Sequence, residues 1–558
     1  MRVNLVMAAH QTLAVTSVHV LPRESRKNIA AVILLAAAAS AVSSAIWITY
    51  YKYQPLWVEH AAYGMMANVT FADALATQGY WRALWSALAG RHALQPVVLA
   101  ALSPRLLSWP HSHLLITALT FCLFLCLLAH YASRRTSNAY WGIGAALLFC
   151  SLTGLYNERQ GMAVPWPDYQ SMFLLSSAAL ALALYAIEGT VSWFVVAGAL
   201  IVLATLARDT GAIWSTLVCG PVVMMLIVVD VRRYGVRSAL VRALLFAVAT
   251  LPAALLFARH WAFFRGYYMT ANQWQLRQPL GTAASHMLND LFLFVGPAAA
   301  LVVIVLIVYA MWLARADTWE IADVAVVYWP VSIGLFLFAN GYAASEVTKE
   351  IMYVAPGVVC AAVTLNGGLD IRSRRLAIAV VSALAVCVVV AGSAAVAAYN
   401  RARTPTPKDV SLRASQRALA DVLASIHQRV WWHSYSLYDW GTPVAALTDF
   451  DGHYQPSENQ WFYNHKNYWD SHFPGMDIAQ IQAFVIHQTE ERVDVAVVLK
   501  RPDVKPPGME EYSFAIASSI AAHVQSSPNW RHYRDVQTAE GPLAVFVNLR
   551  RARGNPAS

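Results

Sequence analysis

Two carboxylates and one lysine stand where this chain could do chemistry. Glu59 lies in YQPLWVEHAAYGMMAN, residues 53–68, just past the first long apolar run, with His60 and Tyr63 beside it. Asp168 opens a later apolar run directly after Pro167. Desolvating a carboxylate at the edge of a membrane helix is expensive, which makes such a residue a functional candidate. One carboxylate could act as general base on an acceptor hydroxyl. The other could orient that acceptor or hold a divalent ion such as Mg2+ or Mn2+. The plainer reading is an interfacial carboxylate at a helix end, with Asp168 as an N-cap. Lys349 followed by Tyr353 could grip a lipid phosphate, or the lysine could simply snorkel. Glu158 and Arg265, in outer loops, are further candidate substrate contacts. Arg208-Asp209 reads equally well as an internal ion pair or as part of a site. His60, His92 and His111 lack ligand spacing, so no metal set is assigned.

These residues need a scaffold, and the composition says which kind. Only 13% of the 558 residues are charged, and mean hydropathy is +0.45. A soluble chain carries roughly 25% charge, so the class is a polytopic membrane protein. Apolar runs recur from residue 29 to residue 400, and about eleven are long enough to span a bilayer. The formal charge of +9 comes largely from Arg and Lys in the short loops of one side, which is the positive-inside pattern. It argues against nucleic acid as a partner. The same pattern puts the N-terminal segment 1–28 in the cytoplasm and the C-terminus outside. Residues 51–110 form a large first outer loop with amphipathic pieces near 57–68, 71–89 and 94–107. Further outer loops cover 157–168 and about 259–290.

Residues 401–558 read differently. TPTPK at 404–408 suggests a linker. Helical patterns near 412–428, 478–489 and 512–524 alternate with strand-like runs at 430–437, 493–499 and 543–549. That alternation indicates a small α/β domain. Its aromatic middle, 440–473, suits a sugar-contacting surface or an irregular packed insertion. No nucleotide loop or nucleophile elbow is present. All six cysteines fall in the apolar runs, so the C-terminal domain uses no disulfides.

In order along the chain, these motifs resemble the GT-C class of membrane glycosyltransferases, in particular the protein O-mannosyltransferases and lipid A aminoarabinose transferases. The residues that carry the resemblance are Glu59-His60-x-x-Tyr63, Gly79-Tyr80-Trp81, Gln95-Pro96-Val97, Pro167-Asp168, and Lys349 with Tyr353 and Pro356. It covers roughly residues 29–400. Glu59 stands where the class usually has Asp, and His60 where it has Glu. The resemblance implies a polyprenyl-phosphate sugar donor and inverting transfer to an envelope glycan, lipid or protein on the outer face of a bacterial inner membrane. It implies Glu59 as base, Asp168 as the residue positioning the acceptor or a metal, and Lys349 with Tyr353 on the phosphate. The alternative is a non-enzymatic scaffold or transporter for envelope glycan assembly.

Overall fold

In the computed structural model the described residues are 23–56, 65–89, 92–264, 278–313, 320–339, 351–365, 374–426, 430–431, 454–455, 475–506, 509, 511–539 and 541–552. The N-terminal part is helical. It runs through α1 (Arg23–Tyr53), α2 (Met66–Gln78), α3 (Tyr80–Ala89), α4 (Leu94–Leu102), α5 (His113–Thr136), α6 (Ala139–Cys150), α7 (Pro167–Glu188), α8 (Val191–Ala207), α9 (Gly211–Phe264), α10 (Leu280–Val295), α11 (Pro297–Leu313), α12 (Ile321–Ala339), α13 (Ala355–Thr364) and α14 (Arg374–Arg403). Among the described residues six helices are long and apolar enough to cross a membrane, or seven with the bent pair α10–α11 taken as one span. This is a multi-pass membrane protein. The count differs from eleven because α9, bent at Gly235, covers two of the expected spans and is taken as one, and because α6, α8 and α13 are short. At 1.5 Å per residue α6 and α8 reach only about 18 Å and 26 Å, short of a ~30 Å hydrocarbon core.

Two expected boundaries are corrected. The segment 259–290, read as a loop, contains the end of α9 and most of α10. The single span expected at 291–314 is instead broken by 108° between α10 and α11. Gly296, at φ +83, and Pro297 make that break. Gly takes the left-handed conformation without a Cβ clash, and Pro tolerates only a helix start. The arginine-rich turn expected between the runs at 210–229 and 240–258 is a kink within α9 at Gly235, φ +80.

Helix α7 packs against α5, α8, α9 and α12. Every residue from Pro167 to Tyr185 is buried. Its Ala and Ser residues let neighbouring helices approach closely, which is how membrane helices associate without a strong hydrophobic drive. Phe173 meets Phe121 and Phe124 with ring centroids 5.0 and 5.9 Å apart.

The C-terminal part begins with α15 (Pro407–Ala424), so the supposed linker is partly helix start. Thr406 and Asp409 form a reciprocal capping box there, with Pro407 at the first helical position, an arrangement suited to the exposed donors of a helix N-terminus. Two short strands, β1 (Val430–Trp431) and β2 (Tyr454–Gln455), pair in parallel. After α16 (Ile478–Arg492), strand β3 (Val495–Leu499) and helix α17 (Glu511–Ser526), strands β4 (Trp530–Thr538) and β5 (Gly541–Asn548) complete an antiparallel sheet ordered β3-β5-β4. Strand β4 was not expected. Its exposed Arg, His and Asp residues hide the alternation by which strands are usually read. The 440–473 segment lies outside the described residues.

Candidate active site

Pro167 pre-sets the first turn of α7, and Asp168 follows it in that turn. The cap residue is Trp166, so Asp168 sits inside the helix rather than capping it. A carboxylate there gains from the positive end of the helix dipole. Asp168 is 3% exposed, and its carboxylate is paired with the guanidinium of Arg208. Arg208 is the extended residue that ends α8, and its carbonyl accepts from Gly211 N at 2.8 Å in the turn into α9. The ion pair expected around Arg208 therefore runs to Asp168. Asp209 is buried beside a small cleft lined by His92, Thr205 and His260.

Tyr353 comes to the same place from 185 residues away. Its hydroxyl donates to the Asp168 carbonyl at 3.4 Å. The ring stacks on Trp214 at 5.5 Å, and its own carbonyl accepts from the Trp329 indole at 3.2 Å. Tyr353 lies in a short 3-10 turn, Ile351–Tyr353, just before α13. Asp168, Arg208 and Tyr353 thus form one largely buried cluster from three elements. Glu158 behaves differently. Both of its oxygens accept from Arg401, each at 2.8 Å, which ties the 157–168 segment to the end of α14. Glu59, His60, Tyr63, Lys349 and Arg265 lie outside the described residues, so the base and the phosphate cation remain sequence expectations.

Sequence reasoning missed a ladder of buried amides beside this cluster. Gln170 Nε2 donates to Gln95 Oε1, and Gln95 Nε2 to Asn68 Oδ1, both at 3.1 Å. Asn68 Nδ2 then donates to Ser112 Oγ at 3.0 Å. All four residues are at most 6% exposed. The ladder joins α2 and α4 to α7, two residues from Asp168. The available signal was three carboxamides in apolar surroundings, where each needs a partner.

The end of α1 is held just as firmly. Leu56 N donates to Gln416 Oε1 at 3.1 Å, and Gln416 Nε2 donates back to Leu56 O at 2.9 Å. Gln54 Nε2 donates to the carbonyls of Arg401 and Ala402 at 2.9 and 3.2 Å. The C-terminal domain is thus keyed to the chain three residues before Glu59. Among the described residues no group of three His, Cys, Asp or Glu could hold a metal ion. A divalent ion does not fit the described part of this site, because Asp168 is already committed to Arg208.

No protein-family model matches this sequence, and no curated protein does. Solved structures do match. The crystal structure of ArnT from Cupriavidus metallidurans bound to undecaprenyl phosphate aligns with 92% of this chain and 97% of its own, at TM-score 0.53 and 14% identity. The chain has the GT-C fold. The archaeal oligosaccharyltransferase AglB from Archaeoglobus fulgidus, in complex with an inhibitory peptide and a dolichol-phosphate, aligns with 93% of this chain and 74% of its own, at TM-score 0.50 and 12% identity. At such identities the likeness concerns the fold alone. Within the GT-C fold, the match reaches beyond residues 29–400, where the sequence resemblance stopped.

Proposed function

We propose that this protein transfers a sugar from a polyprenyl-phosphate donor to an envelope acceptor at the outer face of a bacterial inner membrane. The observation that carries the reading is a GT-C fold over 92% of the chain. ArnT with that fold is bound to undecaprenyl phosphate, and AglB to a dolichol-phosphate. Glu59 takes the proton of the acceptor hydroxyl as its oxygen attacks the anomeric carbon. The bond from that carbon to the phosphate oxygen breaks, the polyprenyl phosphate leaves with the electron pair, and the configuration inverts. Lys349 and Arg265 are assigned to the phosphate. Asp168 orients the acceptor while Arg208 compensates its charge. Tyr353, 1% exposed, acts as a positioning residue through the Asp168 carbonyl, and His60, Tyr63 and Glu158 shape the acceptor side.

The test is transfer in membranes supplied with polyprenyl-phosphate sugars, comparing wild type with Glu59→Gln and Asp168→Asn at matched expression. A loss of about 10²-fold or more in both variants is expected, the usual worth of general-base catalysis. Wild-type rates in both would overturn the assignment. Wild-type inactivity with every donor and acceptor would favour a scaffold.

A further inference from the structure

Leu56 stands three residues before Glu59, and its backbone is gripped from 360 positions away in the chain. The side chain of Gln416, in α15, accepts from Leu56 N at 3.1 Å and donates to Leu56 O at 2.9 Å. One carboxamide thus pairs both polar groups of one residue, as a neighbouring strand would. Both residues are buried. Hydrogen bonds are directional, so the pair fixes the rotation of the chain at Leu56 as well as its place. Apolar packing is non-directional and would leave that rotation open.

The grip has firm supports. Arg413, one turn earlier in α15, donates from Nη2 to the Tyr51 carbonyl at 2.7 Å. The Tyr50 hydroxyl donates to the Pro55 carbonyl at 3.2 Å. Ser415, the neighbour of Gln416, accepts at Oγ from Ala539 N at 2.9 Å, in the turn between β4 and β5. Helix α15 therefore carries the position of the C-terminal sheet to Leu56 through adjacent residues. On the far side of Glu59 in the chain, Asn68 in the first turn of α2 is held by Gln95 and Ser112. Three residues reach at most about 11 Å, so a displacement of Leu56 passes to Glu59 over a short tether.

We infer that Gln416 is a positioning residue for transfer, through which the C-terminal sheet sets where Glu59 stands against the acceptor hydroxyl, an assignment that rests on Glu59 being the base. A misplacement of about 1 Å can cost about 10²-fold in rate, so a carboxamide acting only on backbone can govern turnover. Few side chains could replace it. Met and Leu make neither bond, and an ionised Glu lacks the donor.

The experiment uses the full chain in nanodiscs. Hydrogen exchange of the 57–64 peptide, with no substrate present, reads how firmly the tether is held. Gln416→Met keeps the length and drops both bonds, and it should speed that exchange by about 10-fold. Arg417→Gln, at an exposed neighbouring position, should leave it unchanged. In transfer from polyprenyl-phosphate sugars, Gln416→Met should lower kcat by about 10-fold or more with the donor KM within about 3-fold, a loss felt in the transition state. In a Glu59→Gln background, where no base remains to be placed, the same change should cost less than about 2-fold. Gln416→Glu provides a rescue, because burial raises a carboxyl pKa. At about pH 5 the neutral acid donates its O–H to Leu56 O and accepts from Leu56 N, and transfer should approach wild type at that pH. By about pH 8 the ionised form should match Gln416→Met. If Gln416→Met does not assemble, this pH dependence carries the test. Unchanged exchange of 57–64 in Gln416→Met, or an equal fold-loss with and without the Glu59 carboxylate, overturns the proposal, since a purely structural Gln416 would act alike in both backgrounds. Failure of the base assignment is read separately, as wild-type transfer by Glu59→Gln with Gln416 intact.

Discussion

Removing the charge of Asp168 strands Arg208, and this must be separated from any loss of chemistry. Breaking a buried pair from one side costs about 3–5 kcal/mol, whereas removing both charges costs far less. Asp168→Asn should therefore lower Tm clearly, and the double variant Asp168→Asn with Arg208→Gln should recover most of it. If Asp168 touches the acceptor, transfer stays low in the stable double variant. Recovered transfer would reduce Asp168 to a structural partner. A second residue-scale prediction concerns Glu490. Burial alone would raise its pKa, but donors from His523, Trp530, Ser527 and Asn529 hold it below the ordinary value of 4.5. Two of these, the His523 and Trp530 nitrogens, lie at 2.8 Å. A depressed carboxyl pKa stabilises the fold above the unfolded value, and that stability is lost as pH falls through the folded one. The C-terminal domain should thus lose stability below about pH 4.5, and Glu490→Gln should flatten this acid limb in a pH series of thermal melts.

At the scale of elements, the amide ladder and the Gln416 clamp set how α2, α4 and the C-terminal part meet the membrane helices. Gln95 is the middle rung between α4 and its neighbours. Gln95→Leu leaves a buried Asn68 oxygen and a buried Gln170 nitrogen short of their partners, for about 1–3 kcal/mol each. A Tm loss larger than that of an exposed control such as Arg82→Gln is expected, and an unchanged Tm would show the ladder to be dispensable. Gln416→Leu should loosen the end of α1, read as faster hydrogen exchange at the Leu56 amide. By contrast, the Glu158–Arg401 pair has an Arg401 side chain that is 56% exposed. Exposed pairs contribute about 0–1 kcal/mol, so Arg401→Gln should shift Tm little.

Across the whole molecule, the basic loops predict an orientation that can be measured directly. All six native cysteines are in apolar helices, and four of them are buried, so background labelling is low. With the C-terminal domain outside, Ala522→Cys should react with a membrane-impermeant maleimide in intact cells. Arg233→Cys, beside the kink at Gly235, should react only after lysis. The reverse pattern would invert the topology and remove the basis for transfer at the outer face.

Much of this architecture was legible in the chain itself. Low charge, long apolar runs and basic loops mark a multi-pass helical protein, because membrane insertion is decided by local hydropathy and flanking charge. The helix starts at Pro167 and Asp477 and the core of strands β3 and β5 follow from equally local signals. Helix breaks such as Gly296-Pro297 carried a signal too, although its effect on a span was missed. Tertiary structure alone decided which polar residues meet: Asp168 with Arg208, Tyr353 with the Asp168 carbonyl, and Gln416 with Leu56. Periodicity reports which face of an element is apolar over a few turns. The partner of a buried polar group is set by contacts 40 to 360 residues apart in the chain, and no local pattern encodes those.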